Sequence, residues 1–384
     1  MGTETDKNNN FKTIILKLYR LTFNLHDGKH SPDKNYAQRS LRPVFFDFKS
    51  NISRSQKIVS LLFLYVFGIL ILYACVSQLL APVGGKEIHS EVIRINPGMN
   101  IINIGMLLAE KGLVKSSLAF QVVGILNGTS HSLKAGDYAI NSNMSISEIL
   151  RLMVSGETVL YKFTIPEGLT MPEIAKLWEE NGFGTSDRFI EKVSDPNLRA
   201  KYRINADSLE GYLFPNTYMF PYGITEEEAI DVILRQFFKD AYPLIEKKSP
   251  EIKLSPYEII ILASIIEKEA KVDPERPIIA AVFHNRLKYD MKLESCPTVL
   301  YGLGYPNREL TYQDLRNASL PYNTYVYKGL PPGPICNPGI KSINSALNPS
   351  GDSYLYFVSK NDGTHYFAKD YTDFLIAKRK YQGS

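Results

Sequence analysis

INPGMNIINIGMLLAEKG, residues 95–112, and IPEGLTMPEIAKLWEENG, residues 165–182, are two copies of one unit set 70 residues apart. Gly98 answers Gly168, Ile104 answers Ile174, Leu107 answers Leu177 and Gly112 answers Gly182. Each copy reads as a strand end, a tight glycine turn and an amphipathic helix closed by a glycine. Two copies describe a pair of small modules, because a solenoid stacks at least three repeats.

Around the first copy, residues 91–96 read as a strand and 101–111 as a helix with Ile101, Ile104, Leu107 and Leu108 on one face. A second helix at 116–126, a strand at 138–140 and a helix from Ser145 to Met153 complete a β-α-α-β module with one further helix, over residues 88–160. The second copy, over 161–208, repeats the front half and opens a larger domain, 161–384. There, helices are expected at 226–241 and 255–270. Residues 290–350, rich in Gly, Pro, Asn and Tyr, read as irregular, and 353–359 with 364–368 form a hairpin around Asn361, Asp362 and Gly363. Strands and helices that do not alternate regularly give an α+β class.

On the other side of the module, residues 58–80 (IVSLLFLYVFGILILYACVSQLL) are 23 residues without a charge. A helix of about 20 apolar residues crosses a bilayer core. A signal peptide starts nearer residue 1 and has a shorter core. Residues 1–57 hold 11 Lys and Arg against 5 Asp and Glu, while the remaining 327 hold 33 against 35. All the basic excess therefore precedes the segment. This places a tail (1–56, with one short amphipathic helix at 11–25) in the cytoplasm, a single transmembrane helix at 57–81 and the rest outside the cytoplasmic membrane. ATP-driven chemistry is unexpected there, and no GxxxxGK[ST] loop occurs. A net charge of +4, made of +6 in residues 1–57 and −2 in the rest, gives no reason to expect a nucleic-acid partner.

The strongest helix signal is SPYEIIILASIIEKEA, 255–270. Ser255, Pro256 and Glu258 make an N-terminal capping box, and Ile259, Leu262, Ala263, Ile266 and Ala270 form an apolar stripe. Glu267 and Glu269 fall on opposite edges of that stripe. A carboxyl at such an edge tends toward a raised pKa, which suits a general acid; an ordinary pair of boundary glutamates has the same spacing. The proline- and glycine-rich segment 321–339 (PYNTYVYKGLPPGPICNPG) combines an extended backbone with tyrosine surfaces, as a sugar-binding groove or a rigid loop would. The six histidines do not cluster with metal-ligand spacing, so no metal and no cofactor is expected. No GxSxG elbow is present. Cys296 and Cys336 lie in two loops, free to pair or to remain thiols.

LEGYLFPNTY (209–218), ASIIEKEA (263–270), FHNRLKYDMKLESCPTVLYGLG (283–304), YNTYVYKGLPPGPICNPG (322–339), INSALNP (343–349) and YLYFVSKNDGTHYF (354–367) occur in order. In these the chain resembles the YceG-like endolytic murein transglycosylases, the MltG family, over roughly residues 90–370. The resemblance implies a LysM-like front module and peptidoglycan glycan strands as substrate. It implies internal cleavage between N-acetylmuramic acid and N-acetylglucosamine, with a 1,6-anhydro end, to terminate or trim nascent strands. It carries the catalytic acid onto Glu269. Glu267 is the alternative acid or a support for the helix or groove. Asn285, Tyr322, Asn323, Thr324 and Asn337 are expected to bind sugar or steady the carboxyl, and substrate contacts fall on Glu210, Tyr218, Thr298, Tyr325 and Pro332. The chain departs from the family pattern at Ala270, where Thr or Ser is common, and at Cys296, where Asp is common. It also lacks the histidine common in the C-terminal helix.

A single glutamic acid can serve a lytic transglycosylase, whereas a hydrolase needs a second carboxylate, here Glu210 or Glu294. A membrane-anchored glycan-binding scaffold without catalysis is the third reading. The length of the tail adds a cytoplasmic wall-synthesis or division protein as a candidate partner.

Overall fold

The computed structural model describes residues 54–84, 88–305 and 308–383; most of the basic tail, with its expected helix at 11–25, lies outside them. Helix α1 (Arg54–Leu80) contains the uncharged stretch. Ile58–Leu80 is the one segment among the described residues long and apolar enough to cross a membrane, and its apolar side chains are exposed.

Both copies of the repeat fold around a two-stranded antiparallel sheet. Strand β1 (Ser90–Ile95) is followed by α2 (Ile101–Glu110), α3 (Ser117–Leu126), β2 (Gly136–Asn141) and α4 (Ile146–Ser155). Strand β3 (Leu160–Thr164) is followed by α5 (Met171–Glu180), α6 (Ser186–Val193), α7 (Pro196–Lys201), β4 (Thr217–Pro221) and α8 (Glu226–Asp240). Ile93 faces Tyr138 across the first sheet, and Phe163 faces Tyr218 across the second. Gly98 and Gly168 take φ of 84° and 79°, a backbone region that side chains disfavour. Ile104 and Ile174 are both buried.

The repeat extends beyond the expected boundary at residue 208. Tyr138 and Tyr218, 80 residues apart, are both buried and each donates its hydroxyl to a carbonyl four residues earlier, Lys134 O at 2.8 Å and Phe214 O at 2.6 Å. Ser145 with Glu148, and Thr225 with Glu228, form matching capping boxes on the helix that follows. The extra short helix α7 lies where the spacing grows from 70 to 80, and so conceals the second half of the copy.

The first module closes its own core around Leu108, Phe120, Tyr138, Ile149 and Met153. The second shares a larger core with α9 (Tyr242–Ile252), α10 (Pro256–Glu269) and α11 (Arg276–Lys288). Helix α10 is buried on all sides from Ile259 to Ile266, rather than along the single stripe expected. It packs against α9, α11, α12 (Cys296–Gly302) and α14 (Ile340–Leu347). The segment read as irregular thus holds three short helices, α12, α13 (Tyr312–Leu315) and α14. Of these only α13 has a side-chain cap, the Thr311–Asp314 box; α12 and α14 are held instead by packing against α10. The expected hairpin is present as β5 (Tyr356–Ser359) and β6 (His365–Ala368), turned by Asn361 and Gly363 at positive φ and covered by α15 (Tyr371–Gln382).

Candidate active site

The last turn of α10 presents Glu267 and Glu269 to different neighbours. Glu267 Oε1 accepts from Arg276 Nη1 at 3.1 Å, and Oε2 accepts from Gly339 N at 2.9 Å. Arg276 also donates to Asp273 and Ser342, and both members of the Glu267–Arg276 pair are nearly covered. Glu267 therefore ties the end of the 321–339 segment and α11 to α10. Ser264, fully buried on the same helix, accepts from Ile335 N at 3.0 Å and fixes the segment a second time.

Glu269 faces a cleft of about 600 Å³ whose lining includes Arg286, Glu294, Cys296, Tyr325 and His365. Ser295 Oγ donates to Glu269 Oε1 at 2.6 Å. Oε2 has no hydrogen-bond partner among the described residues and is not sealed from solvent. Burial pushes the Glu269 carboxyl above the usual carboxylate range, while the Ser295 hydrogen bond and, after it, His365 and Arg286 act the other way. The result is a carboxyl held at one oxygen, open at the other and biased toward its protonated form.

Ser295 is itself immobilised. Its N–H donates to Thr324 Oγ1 at 3.0 Å, Thr298 Oγ1 donates to its carbonyl at 2.8 Å, and the two threonine hydroxyls lie 2.8 Å apart. All three residues are buried. Thr298 and Thr324 thus serve the site from behind Ser295 and do not contact the cleft as substrate ligands.

Other expected contacts belong to the framework. Asn337 Oδ1 accepts from the N–H groups of Gly211 and Leu213, and its Nδ2 donates to Leu169 O and Glu210 Oε1. Glu210, 2% exposed, also accepts from Met171 N and Tyr301 OH. Burial raises its pKa to about 7, against the hydrogen bonds it accepts. Asn323 donates to the carbonyls of Asp314 and Asn317, and Asn285 to those of Asp352 and Tyr354. The Tyr218 hydroxyl is used on Phe214. Tyr322 leans on Tyr301 with ring centres 4.9 Å apart, and Pro332 is exposed but does not line the cleft. Residue type alone does not separate a buried amide that closes a backbone turn from one that meets a sugar.

Tyr325 does line the cleft, with its hydroxyl 3.1 Å from Cys296 Sγ. Cys296 and Cys336 are both free thiols, the first exposed and the second buried. Ser295 and His365 are the site residues that sequence reasoning missed. His365 lies in a strand of the C-terminal hairpin, ahead of the helix where the family's histidine is common.

The profile of the YceG-like family matches residues 93–380. A Bacillus subtilis (strain 168) protein named endolytic murein transglycosylase is 33% identical over 326 residues, which cover 80% of this chain and 89% of that protein. A protein of the same name from Streptococcus pneumoniae (serotype 2, strain D39) is 32% identical over 337 residues, 78% of this chain but 60% of its own length. A solved structure of a YceG-like protein from Listeria monocytogenes is similar with a TM-score of 0.52 and 32% identity, over 76% of this chain and 100% of that one. The chain belongs to the YceG-like family.

Proposed function

We propose that this protein is an endolytic lytic transglycosylase that cleaves peptidoglycan strands between N-acetylmuramic acid and N-acetylglucosamine and leaves a 1,6-anhydro end. The observation that carries this reading is the state of Glu269: raised pKa, one oxygen gripped by Ser295, the other open to the cleft. Protonated Glu269 gives its proton to the glycosidic oxygen as the bond to C1 breaks with oxocarbenium-like charge. The C6 hydroxyl oxygen of the same sugar attacks C1. In the one-carboxyl form of this reaction, the Glu269 carboxylate left behind takes up the C6 proton. No metal or cofactor enters any of these steps.

A hydrolase would need a second carboxylate free to activate water. Glu210 is walled in, which favours the transglycosylase; Glu294 lines the cleft, paired 2.9 Å from Arg286 Nη1, and is the carboxylate a hydrolase would have to use. The helix at Ile58–Leu80 supports a single-pass anchor in the cytoplasmic membrane. The charge asymmetry supports a topology with the tail inside and the cleft outside. The first module, compact and with its own core, suits a LysM-like glycan-binding role beside the cleft domain. The tail remains the candidate contact for a wall-synthesis or division protein.

Mass spectrometry of the products from purified peptidoglycan tests the reaction. Anhydro ends, about 18 Da lighter than hydrolysed ones, are expected. Reducing ends alone identify a hydrolase, and binding without cleavage identifies a scaffold.

A further inference from the structure

The same cleft holds a second titratable pair that the chemistry above leaves unused. His365 comes from β6, and Glu275 ends the 3-10 turn Asp273–Glu275 that leads into α11. His365 Nδ1 lies 2.7 Å from Glu275 Oε2, and the His365 backbone N–H donates to Glu275 Oε1 at 3.0 Å. The two side chains are 8% and 12% exposed. An ionised carboxylate only accepts, so Nδ1 carries the proton, and in the neutral ring Nε2 keeps its lone pair. Nε2 has no partner among the described residues, yet it is not a sealed atom, and His365 lines the cleft that Glu269 faces. Phe357 packs edge-on to the imidazole at 5.3 Å and 86°, which restricts its tilt.

A histidine that only anchors the hairpin needs no open nitrogen, since buried polar atoms are normally paired within the protein. Here one nitrogen is fixed by a carboxylate, and the other is unpaired in a residue that lines the cleft shared with Glu269. That is the arrangement of a base with its orienting group.

We propose that His365, oriented by Glu275, is a second catalytic residue that accepts the C6 hydroxyl proton as the anhydro ring closes. The inference rests on the transglycosylase reading and divides its two proton transfers between two residues. The O6–H bond breaks toward Nε2 while the O6–C1 bond forms. The bond from C1 to the departing oxygen breaks, and that oxygen takes its proton from Glu269. The turnover leaves an imidazolium and a carboxylate, and one proton passing from His365 to Glu269 restores both without a co-reactant. The ionisable groups around the imidazole are Glu275 from the 3-10 turn and Glu269 from α10. Arg286 from α11, Glu294 ahead of α12, Cys296 at its start, Tyr325, and Tyr371 and Lys378 from α15 are the other ionisable groups that line the same cleft. Glu275 steadies the imidazolium as it forms.

The test uses the full-length protein in detergent on purified peptidoglycan, comparing it with His365→Gln and Glu275→Gln. Rate, the ratio of anhydro to reducing ends, the pH profile and the melting temperature are all read. His365→Gln is expected to lose about 100-fold or more in anhydro product. Reducing ends should rise in share as water competes with O6, and the low-pH limb of the profile should vanish. Glu275→Gln, which keeps an acceptor for Nδ1–H, should lose about 10-fold and move that limb. Unchanged rate in His365→Gln overturns the proposal. So does a loss of rate with the product ratio and pH profile unaltered, the mark of a hairpin anchor. If His365→Gln does not fold, Glu275→Gln decides by the same criteria. Reducing ends alone from the unmodified protein instead defeat the underlying transglycosylase reading, and the proposal with it.

Discussion

Ser295 Oγ sits 2.6 Å from Glu269 Oε1, and Ser295 is in turn fixed by Thr324 and Thr298. The proposed acid is therefore aimed by a residue 26 positions away whose own backbone is clamped. A hydrogen bond to the carboxylate favours its ionised form, so Ser295 both orients Glu269 and moderates the rise that burial causes.

Replacing Ser295 with alanine removes one charge-assisted hydrogen bond, worth about 1.5–3 kcal/mol. Turnover should fall by about 10- to 100-fold. The Glu269 pKa should rise further, so the high-pH limb of the activity profile moves upward. Ser295→Thr should keep the hydroxyl and most of the activity. Initial rates across pH on peptidoglycan check all three; a high-pH limb that moves down would contradict the assignment.

Glu267 has a different task, although it lies two residues away. Glu267→Gln weakens a covered ion pair with Arg276 while Asp273 still faces the guanidinium. A loss of about 2–4 kcal/mol in folding stability is expected, with turnover per folded molecule within a few-fold of normal. Denaturant unfolding and active-site-normalised rates separate these two quantities.

Glu210 makes stability depend on pH. Its folded pKa of about 7 lies above the ordinary carboxyl value of 4.5. As pH rises past 4.5 the unfolded chain releases this proton first. The stabilising contribution is thus complete below 4.5, fades as pH approaches 7 and is gone above it. The full swing is about 3 kcal/mol. Glu210→Gln, which can still bond Tyr301 and accept from Met171, should flatten this slope. Urea midpoints at pH 5 and pH 8 measure it.

Local signals were legible where the physics is local. The capping box at Ser255 and Glu258, the apolar run of α10 and the Asn361–Gly363 turn each announce themselves within a few residues. The repeat was half legible, because α7 breaks the constant spacing that reveals a copy. Glu269 is proposed from its helix and family motif, whereas Ser295 bonds it and His365 lines its cleft from other segments. No spacing rule records such a meeting. Asn337 and Glu210 show the converse: both are buried, and their polar atoms bond each other and the backbone of residues 169–171 and 211–213.

The most direct measurement compares Glu269→Gln with Glu267→Gln on purified peptidoglycan, each checked for folding, with products identified by mass. Anhydro-ended fragments should disappear with Glu269→Gln, by a factor of about 1,000 or more, and persist with Glu267→Gln. Anhydro product surviving in Glu269→Gln, or lost only in Glu267→Gln, would contradict the assignment of the acid.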